Sequence, residues 1–392
     1  MKMKTRNTHS LALGIAFVGF TTQFGGGFAS GAQIYQYFIN FGIGALIMPI
    51  VAQALLSLFY YYGMKYAHRH HTYDYRSFSD SFYGRFRKLF SNLYEIEYFV
   101  MVCMAPAVAF ATGGATLNAL TGIPYIICTL MIGAFIFAIT LFGTDLVRKC
   151  SSALSILIIV GLLAVLIPNI VVQRGVIIDS IQKMAAGTMA VGSQSDGSLG
   201  ESFRMACIYG VFQLTAIGLM YQHTRNVKDE KEIKKSMIYM FIIDAAVMEL
   251  AVLGLLAIAH LPQLSDYSVP MLLLVQTGVG ASVLTPIISI LIVLGAVSTG
   301  VNMIAGIVER SVHQIEKKQT QISQGKHRRY TTITALAFTF LAFGIAQFGL
   351  IPLVKTGYSY IGYATIVVIV LPFIIHYLLD KVKKGVLITQ EV

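Results

Sequence analysis

The string Gly25-Gly26-Gly27-Phe28-Ala29-Ser30-Gly31 lies inside a segment, residues 11–39, that carries no charge. A run of that length crosses a bilayer as a helix. Its middle is where a helix is worst, because each glycine costs about 1 kcal/mol relative to alanine in a helix interior. Backbone N–H and C=O groups freed at such a break are not tolerated against lipid and persist only where protein buries them or a watery cavity meets them. A span interrupted at mid-depth therefore points to a binding site inside a membrane bundle.

Composition agrees. The chain has 392 residues, is 56% hydrophobic and only 12% charged, with a mean hydropathy of +0.71. Soluble domains run near 25% charged, about twice that share. The four cysteines, Cys103, Cys128, Cys150 and Cys207, have neither CxxC nor Cys/His metal spacing. The first ten residues are basic, and the apolar run after them is too long for a signal peptide.

Apolar windows of about 20 residues predict ten spans, close to 11–39, 42–64, 89–118, 123–143, 147–170, 201–222, 235–260, 281–308, 330–349 and 352–379. With the N-terminus cytoplasmic, all but four of the 29 Lys and Arg residues fall on the inner side. The exceptions are Arg174, Lys183, Arg204 and Lys355. This asymmetry places both termini in the cytoplasm of a multi-pass cell-membrane protein, and the bilayer alone accounts for the net charge of +11, with no nucleic acid.

The spans divide into five and five, giving an expected first unit at residues 1–172 and a second, inverted unit at 173–392. The sixth span echoes the first, with polar groups and a glycine at mid-depth in Cys207-Ile208-Tyr209-Gly210-Val211-Phe212-Gln213-Leu214-Thr215. Broken helices at matching positions of inverted halves place a site at the bilayer midplane. We therefore expect unwinding near residues 25–27 and 209–213.

Ten spans with interrupted first and sixth members resemble the LeuT-type inverted-repeat fold of the amino acid–polyamine–organocation superfamily. Gly25-Gly26-Gly27-Phe28 is similar to its Gly-x-Gly break. The longer string from Gly25 through Ala32-Gln33-Ile34-Tyr35-Gln36-Tyr37-Phe38 resembles the YkvI family of bacterial membrane proteins. The resemblance implies an all-α bundle and a Na⁺ site. Carried over by position, the ligands are carbonyls of Thr21 and Phe24 from the first span and Gly295, Ser298 and Thr299 from Leu294-Gly295-Ala296-Val297-Ser298-Thr299-Gly300 in the eighth. Oxygen-only ligation suits a hard monovalent cation, but Ser and Thr in membrane helices also commonly bond their own i−4 carbonyl. Some proton-coupled relatives place a fifth-span lysine here; residues 151–168 have none.

The substrate site follows from physics. Free amides of Gly26, Gly27 and Phe28 at the start of a half-helix form an anion hole suited to a carboxylate. Tyr209, Phe212 and Gln213 supply a wall from the sixth span, and Cys103, Met104 and Ala107 from the third. Gln23 and Phe28 stand where relatives with a second ion site supply a carbonyl and an amide side chain. Asp244, in the seventh span, is a candidate second cation ligand or proton carrier, being a charge inside an apolar segment. Glu95 and Glu97 fit an inner vestibule or pairing with loop arginines, and the role of Glu249 stays open.

Other motifs are weak. The glycine spacing at 26–31 suggests a P-loop, but Ala32-Gln33 replace Lys-Ser/Thr. His68-Arg69-His70-His71 belongs to the basic inner belt more readily than to a metal. Residues 77–88 suit an interfacial helix. No catalytic triad, paired-carboxylate site or zinc ligand set is visible, so the chain reads as a non-enzyme. The functional expectation is a cation-coupled, most readily Na⁺-coupled, symporter of an amino acid or related small zwitterion, requiring no other cofactor. The alternatives are a proton-coupled transporter and a non-transporting ligand sensor of the same fold, related to germinant-receptor subunits.

Overall fold

The structure, a computed structural model, describes residues 8–142, 144–189, 197–317 and 323–390. The N-terminal residues 1–7 and the side chain of Cys150 lie outside the described set. Among the described residues every regular element is helical.

Among the described residues seven helices are long and apolar enough to cross a membrane, or up to nine if each of two bent pairs is one span. The bent pairs are Ile39–Leu46 with Met48–His70, at 80°, and Ile156–Val172 with Arg174–Ala185, at 78°. The first span is the tenth element. It falls below the length of the others because it is broken into Thr8–Gln23, Gly26–Ala29 and Ala32–Tyr37. The remaining spans are the third (Arg87–Thr121), fourth (Tyr125–Phe142), fifth (Thr144–Val172), sixth (Leu199–Leu214, continued by Thr215–Leu219), seventh (Glu230–Leu256), eighth (Ala281–Glu316) and ninth (Gln324–Ala346). The tenth starts at Leu350–Pro352 and continues through Tyr358–Thr365 to Leu371–Gln390, with π-helical turns at Leu353–Gly357 and Ile366–Val370.

The third and eighth spans cross at the centre of the bundle, and the first-span break sits against both. Short helices cap the bundle between paired spans. Tyr75–Phe82 links the second and third, and Pro270–Thr277 links the seventh and eighth.

The two ends of the bundle differ in charge. One end is basic and tied by ion pairs. Glu230 meets Lys65 at 3.1 Å and Arg69, while Glu95 meets Arg76 at 2.8 Å and Arg310. Asp74 caps the Tyr75–Phe82 helix there, accepting from the amides of Arg76 and Ser77 at 3.0 and 2.9 Å. Partial burial opposes ionisation of Asp74, but the bonds from the Ser77 hydroxyl and these amides outweigh it and hold its carboxyl below the usual carboxylate range.

Candidate functional site

The first span stops where the sequence breaks it. Phe24 N–H donates to Phe20 O at 2.8 Å, and the next backbone bond is Phe28 N–H to Gly25 O at 3.1 Å. The amides of Gly25, Gly26 and Gly27 have no backbone acceptor among the described residues. Missing side chains let the break press against its neighbours. A Cβ on Gly25 would meet Thr299 Oγ1 at 2.6 Å, and one on Gly26 would meet Ala296 Cα at 2.9 Å. The turn that follows is only four residues long. It ends at Gly31, whose φ of 81° is left-handed and favours glycine. Met271 N–H donates to Ser30 O at 2.9 Å, satisfying the carbonyl freed at this second kink.

These details change two expectations. Phe28 N–H is already bonded to Gly25 O, so the free amides are those of Gly25 to Gly27 rather than of Gly26 to Phe28. The aligned dipole of a long half-helix is also absent, because the left-handed Gly31 interrupts it.

The sixth span differs from expectation more plainly. It is α-helical through Tyr209, Gly210, Phe212 and Gln213, and only from Thr215 does it tighten into 3₁₀ winding. The physical reason is packing. A Cβ on Gly210 would lie 3.0 Å from Ala52 O, so this glycine admits the second span rather than breaking its own helix.

Gln23, Gly25, Gly26, Gly27, Gln33, Phe212, Gln213, Thr299 and Tyr358 line a small cavity of about 30 Å³ beside the first break, with room for water but not for an organic solute. Met101, Ala105 and Val108 form its third-span wall. Cys103, Met104 and Ala107 do not line it. The helix is turned so that the Met104 methyl reaches toward Gly357 of the tenth span, within 2.3 Å of where a Cβ there would sit. The sequence around Cys103 and Met104 is apolar on every side and gave no register. Gln33 and Tyr358 were missed by sequence reasoning. A glutamine inside an uncharged span was the available signal for Gln33; one tyrosine among 21 gave none for Tyr358.

Hydrogen bonds join the polar residues. Gln23 Nε2 donates to Asp244 Oδ2 at 2.9 Å, and Asp244 is fully buried. Gln213 Nε2 lies 3.3 Å from both Gln23 O and the Tyr209 hydroxyl. Gln23 Oε1, Gln33 Oε1 and Asp244 Oδ1 are buried with no hydrogen-bond partner among the described residues. Such acceptors are costly when left unmet, which marks a place for donors to arrive.

The candidate cation ligands gather in part. Thr299 and Gly295 face the first break, and Thr299 Oγ1 donates to Gly295 O at 3.0 Å, leaving its lone pairs free. The Thr21 hydroxyl turns back to Phe17 O and Val18 O, both at 3.0 Å, the back-bonding common for threonine in membrane helices. The Phe24 ring stacks on Phe20 and meets Phe28 edge-on. Ser298 is half-buried on the same stretch of the eighth span. No cluster of three or more His, Cys, Asp or Glu residues suited to a metal occurs among the described residues.

Aromatic rings close the cavity away from the basic end. Tyr37 meets Tyr209 and Phe212 at ring distances of 5.4 and 5.5 Å, and Phe212 stacks on Tyr358 at 4.7 Å. Tyr37 also donates to Val354 O at 3.0 Å. Beyond them a cavity of about 550 Å³ is lined by Gln36, Asn40, Glu201, Arg204, Lys355 and Tyr363, among others. Arg204 and Lys355, two of the four exceptions to the charge asymmetry, therefore line one vestibule.

The two glutamates of the third span part company. Glu95 takes the arginine pairing described above, whereas Glu97 is buried against threonines. Glu249 is half-buried with one carboxyl oxygen unpartnered.

No protein-family profile matches the sequence, and no curated protein matches it. Among solved structures the chain is similar to a Na⁺-coupled sialic acid symporter in a substrate-bound, outward-open state. That match has 15% identity and a TM-score of 0.60, and covers 86% of this chain and 74% of the other. It is also similar to a manganese transporter of Eremococcus coleocola (12% identity, TM-score 0.47, 96% and 88% covered). A third is Mhp1, a nucleobase-cation-symport-1 family transporter in a closed conformation (13% identity, TM-score 0.46, 87% and 73% covered). The fold is the LeuT-type bundle. The YkvI resemblance rests on the glycine string alone.

Proposed function

We propose that this chain is a secondary transporter that moves a small zwitterionic organic solute, an amino acid or a relative of one, by alternating access coupled to a cation. One observation carries the reading: a small polar cavity sits at the helix break, and stacked aromatic rings stand between it and a wide vestibule. The freed amides of Gly25 to Gly27 suit a carboxylate, and the unpartnered oxygens of Gln23 and Gln33 suit ammonium protons. Na⁺ would bind among the carbonyls of Thr21, Phe24 and Gly295 and the hydroxyls of Ser298 and Thr299. Asp244, tied to the break through Gln23, is our candidate for a second cation or a proton. The first and sixth spans would move against the third, fourth, eighth and ninth, with residues 1–172 and 173–392 as the inverted halves. The positive-inside rule puts the basic end in the cytoplasm.

A thermal-shift screen of purified protein against amino acids, betaines and amines, with and without sodium, tests this reading, and uptake into proteoliposomes follows. We expect one zwitterion class to raise the melting temperature, more so with sodium, and to be accumulated. Equal binding of carboxylate-free analogues would overturn the amide site, and binding without flux would make the protein a sensor.

A further inference from the structure

Glu97 lies one helical turn from Met101 toward the basic end, on the third-span face that Ala105 and Val108 continue into the cavity wall. It is 5% exposed. Its Oε1 accepts from the Thr215 hydroxyl at 3.1 Å and from the Thr365 hydroxyl, whose one proton also reaches Ile361 O at 2.8 Å, and the two hydroxyls are 2.8 Å apart. Its Oε2 is buried without a partner among the described residues. Both threonines sit where their helices leave α geometry. Thr215 opens the 3₁₀ stretch of the sixth span, and Thr365 is the last α residue before the π turn of the tenth. Such departures often mark hinges.

The other titratable groups here are tyrosines. Tyr94 donates to Thr215 O at 3.2 Å and Tyr83 to Val368 O at 2.7 Å, so neither proton reaches the carboxyl. Among the described residues no Lys, Arg or His bonds Glu97. Arg76 and Arg310 are taken by Glu95. An ionised carboxylate buried without a cation costs far more than a neutral carboxyl whose Oε1 accepts hydroxyl bonds.

We propose that Glu97 is a proton-binding site that latches the cavity shut toward the basic end. Protonated on Oε2, it holds the sixth and tenth spans against the third through Thr215 and Thr365. When the proton leaves to water at the basic end, the carboxylate draws in water and the two hinges part from the third span. The latch supplies a closing step for the transporter reading and rests on it, but neither arm of the test needs a substrate.

The first arm is infrared difference spectroscopy of the full chain in lipid between acidic and alkaline buffer. We expect a protonated-carboxyl C=O band that disappears at alkaline pH, is missing in Glu97→Gln, and moves to higher frequency in Thr365→Val because the C=O loses a donor. The second arm places a reporter in the pinned stretch, Ala216→Cys, at a site only 2% exposed, with the native cysteines replaced. Its alkylation rate is divided by the rate in denatured protein at the same pH, which removes the thiol's own titration. We expect that ratio to rise about tenfold from acidic to alkaline buffer with Glu97 present and to stay flat in Glu97→Gln. A C=O band unchanged by Glu97→Gln overturns the proton site. A band lost while the labelling ratio keeps its pH dependence in Glu97→Gln overturns the latch. Either failure leaves the screen for solutes untouched.

Discussion

The first and sixth spans carry similar interruptions in sequence, yet only the first breaks sharply. In the first, three adjacent glycines leave three amides without backbone acceptors, and a left-handed Gly31 adds a second kink. In the sixth, the lone Gly210 stays helical because the second span packs against it. Winding changes only at Thr215, where Glu97 competes for the side chain. A glycine inside a membrane helix therefore has two meanings, a break or a close approach, and its neighbours decide between them.

Substitutions can break that comparison. The largest effect is expected for Gly31→Ala, which puts a side chain at φ 81° and a Cβ 3.1 Å from Met271 N. We expect a loss of about 3 kcal/mol, read as reversible unfolding in lipid or mild detergent. Gly26→Ala should follow at about 2 kcal/mol, because its Cβ meets the backbone of Ala296, which cannot swing aside. Gly210→Ala sharpens the contrast by its sign. A packing glycine loses about 1–2 kcal/mol on gaining a Cβ against Ala52 O, whereas a helix-breaking one would gain about 1 kcal/mol. The smallest effect lies outside both spans. Asp74→Ala should cost about 1 kcal/mol by uncapping the Tyr75–Phe82 helix. The Asp74 carboxyl titrates below its usual range in the folded protein, so its contribution is present above the ordinary carboxylate pKa and fades as pH falls through the lowered one.

Much of the architecture was legible in the sequence because lipid imposes it. Apolar windows gave the spans, and Gly25 to Gly31 marked a break that backbone hydrogen bonding makes almost obligatory. The site was legible only in part. Gln213, Gly26 and Thr299 meet at one cavity, but third-span residues Cys103, Met104 and Ala107 face elsewhere. A helix apolar on every side has no periodicity from which to read its rotation. Glu95 and Glu97 looked alike, and only three-dimensional packing gave one to arginines and the other to threonines. Gln33 and Tyr358 join the cavity from a segment beyond the break and from the tenth span, and local sequence does not state such contacts.

In the proposed site the first-span break and the eighth span hold a cation together. The melting temperature of purified protein titrated with sodium, with potassium at equal ionic strength as reference, tests this for the native chain and for the Ser298→Ala/Thr299→Ala double variant. Ligand binding stabilises the folded state by RT ln(1 + [L]/Kd). We expect the native chain to gain stability with sodium alone and the double variant to lose that gain while keeping its fold. An equal sodium response in both proteins would contradict the site.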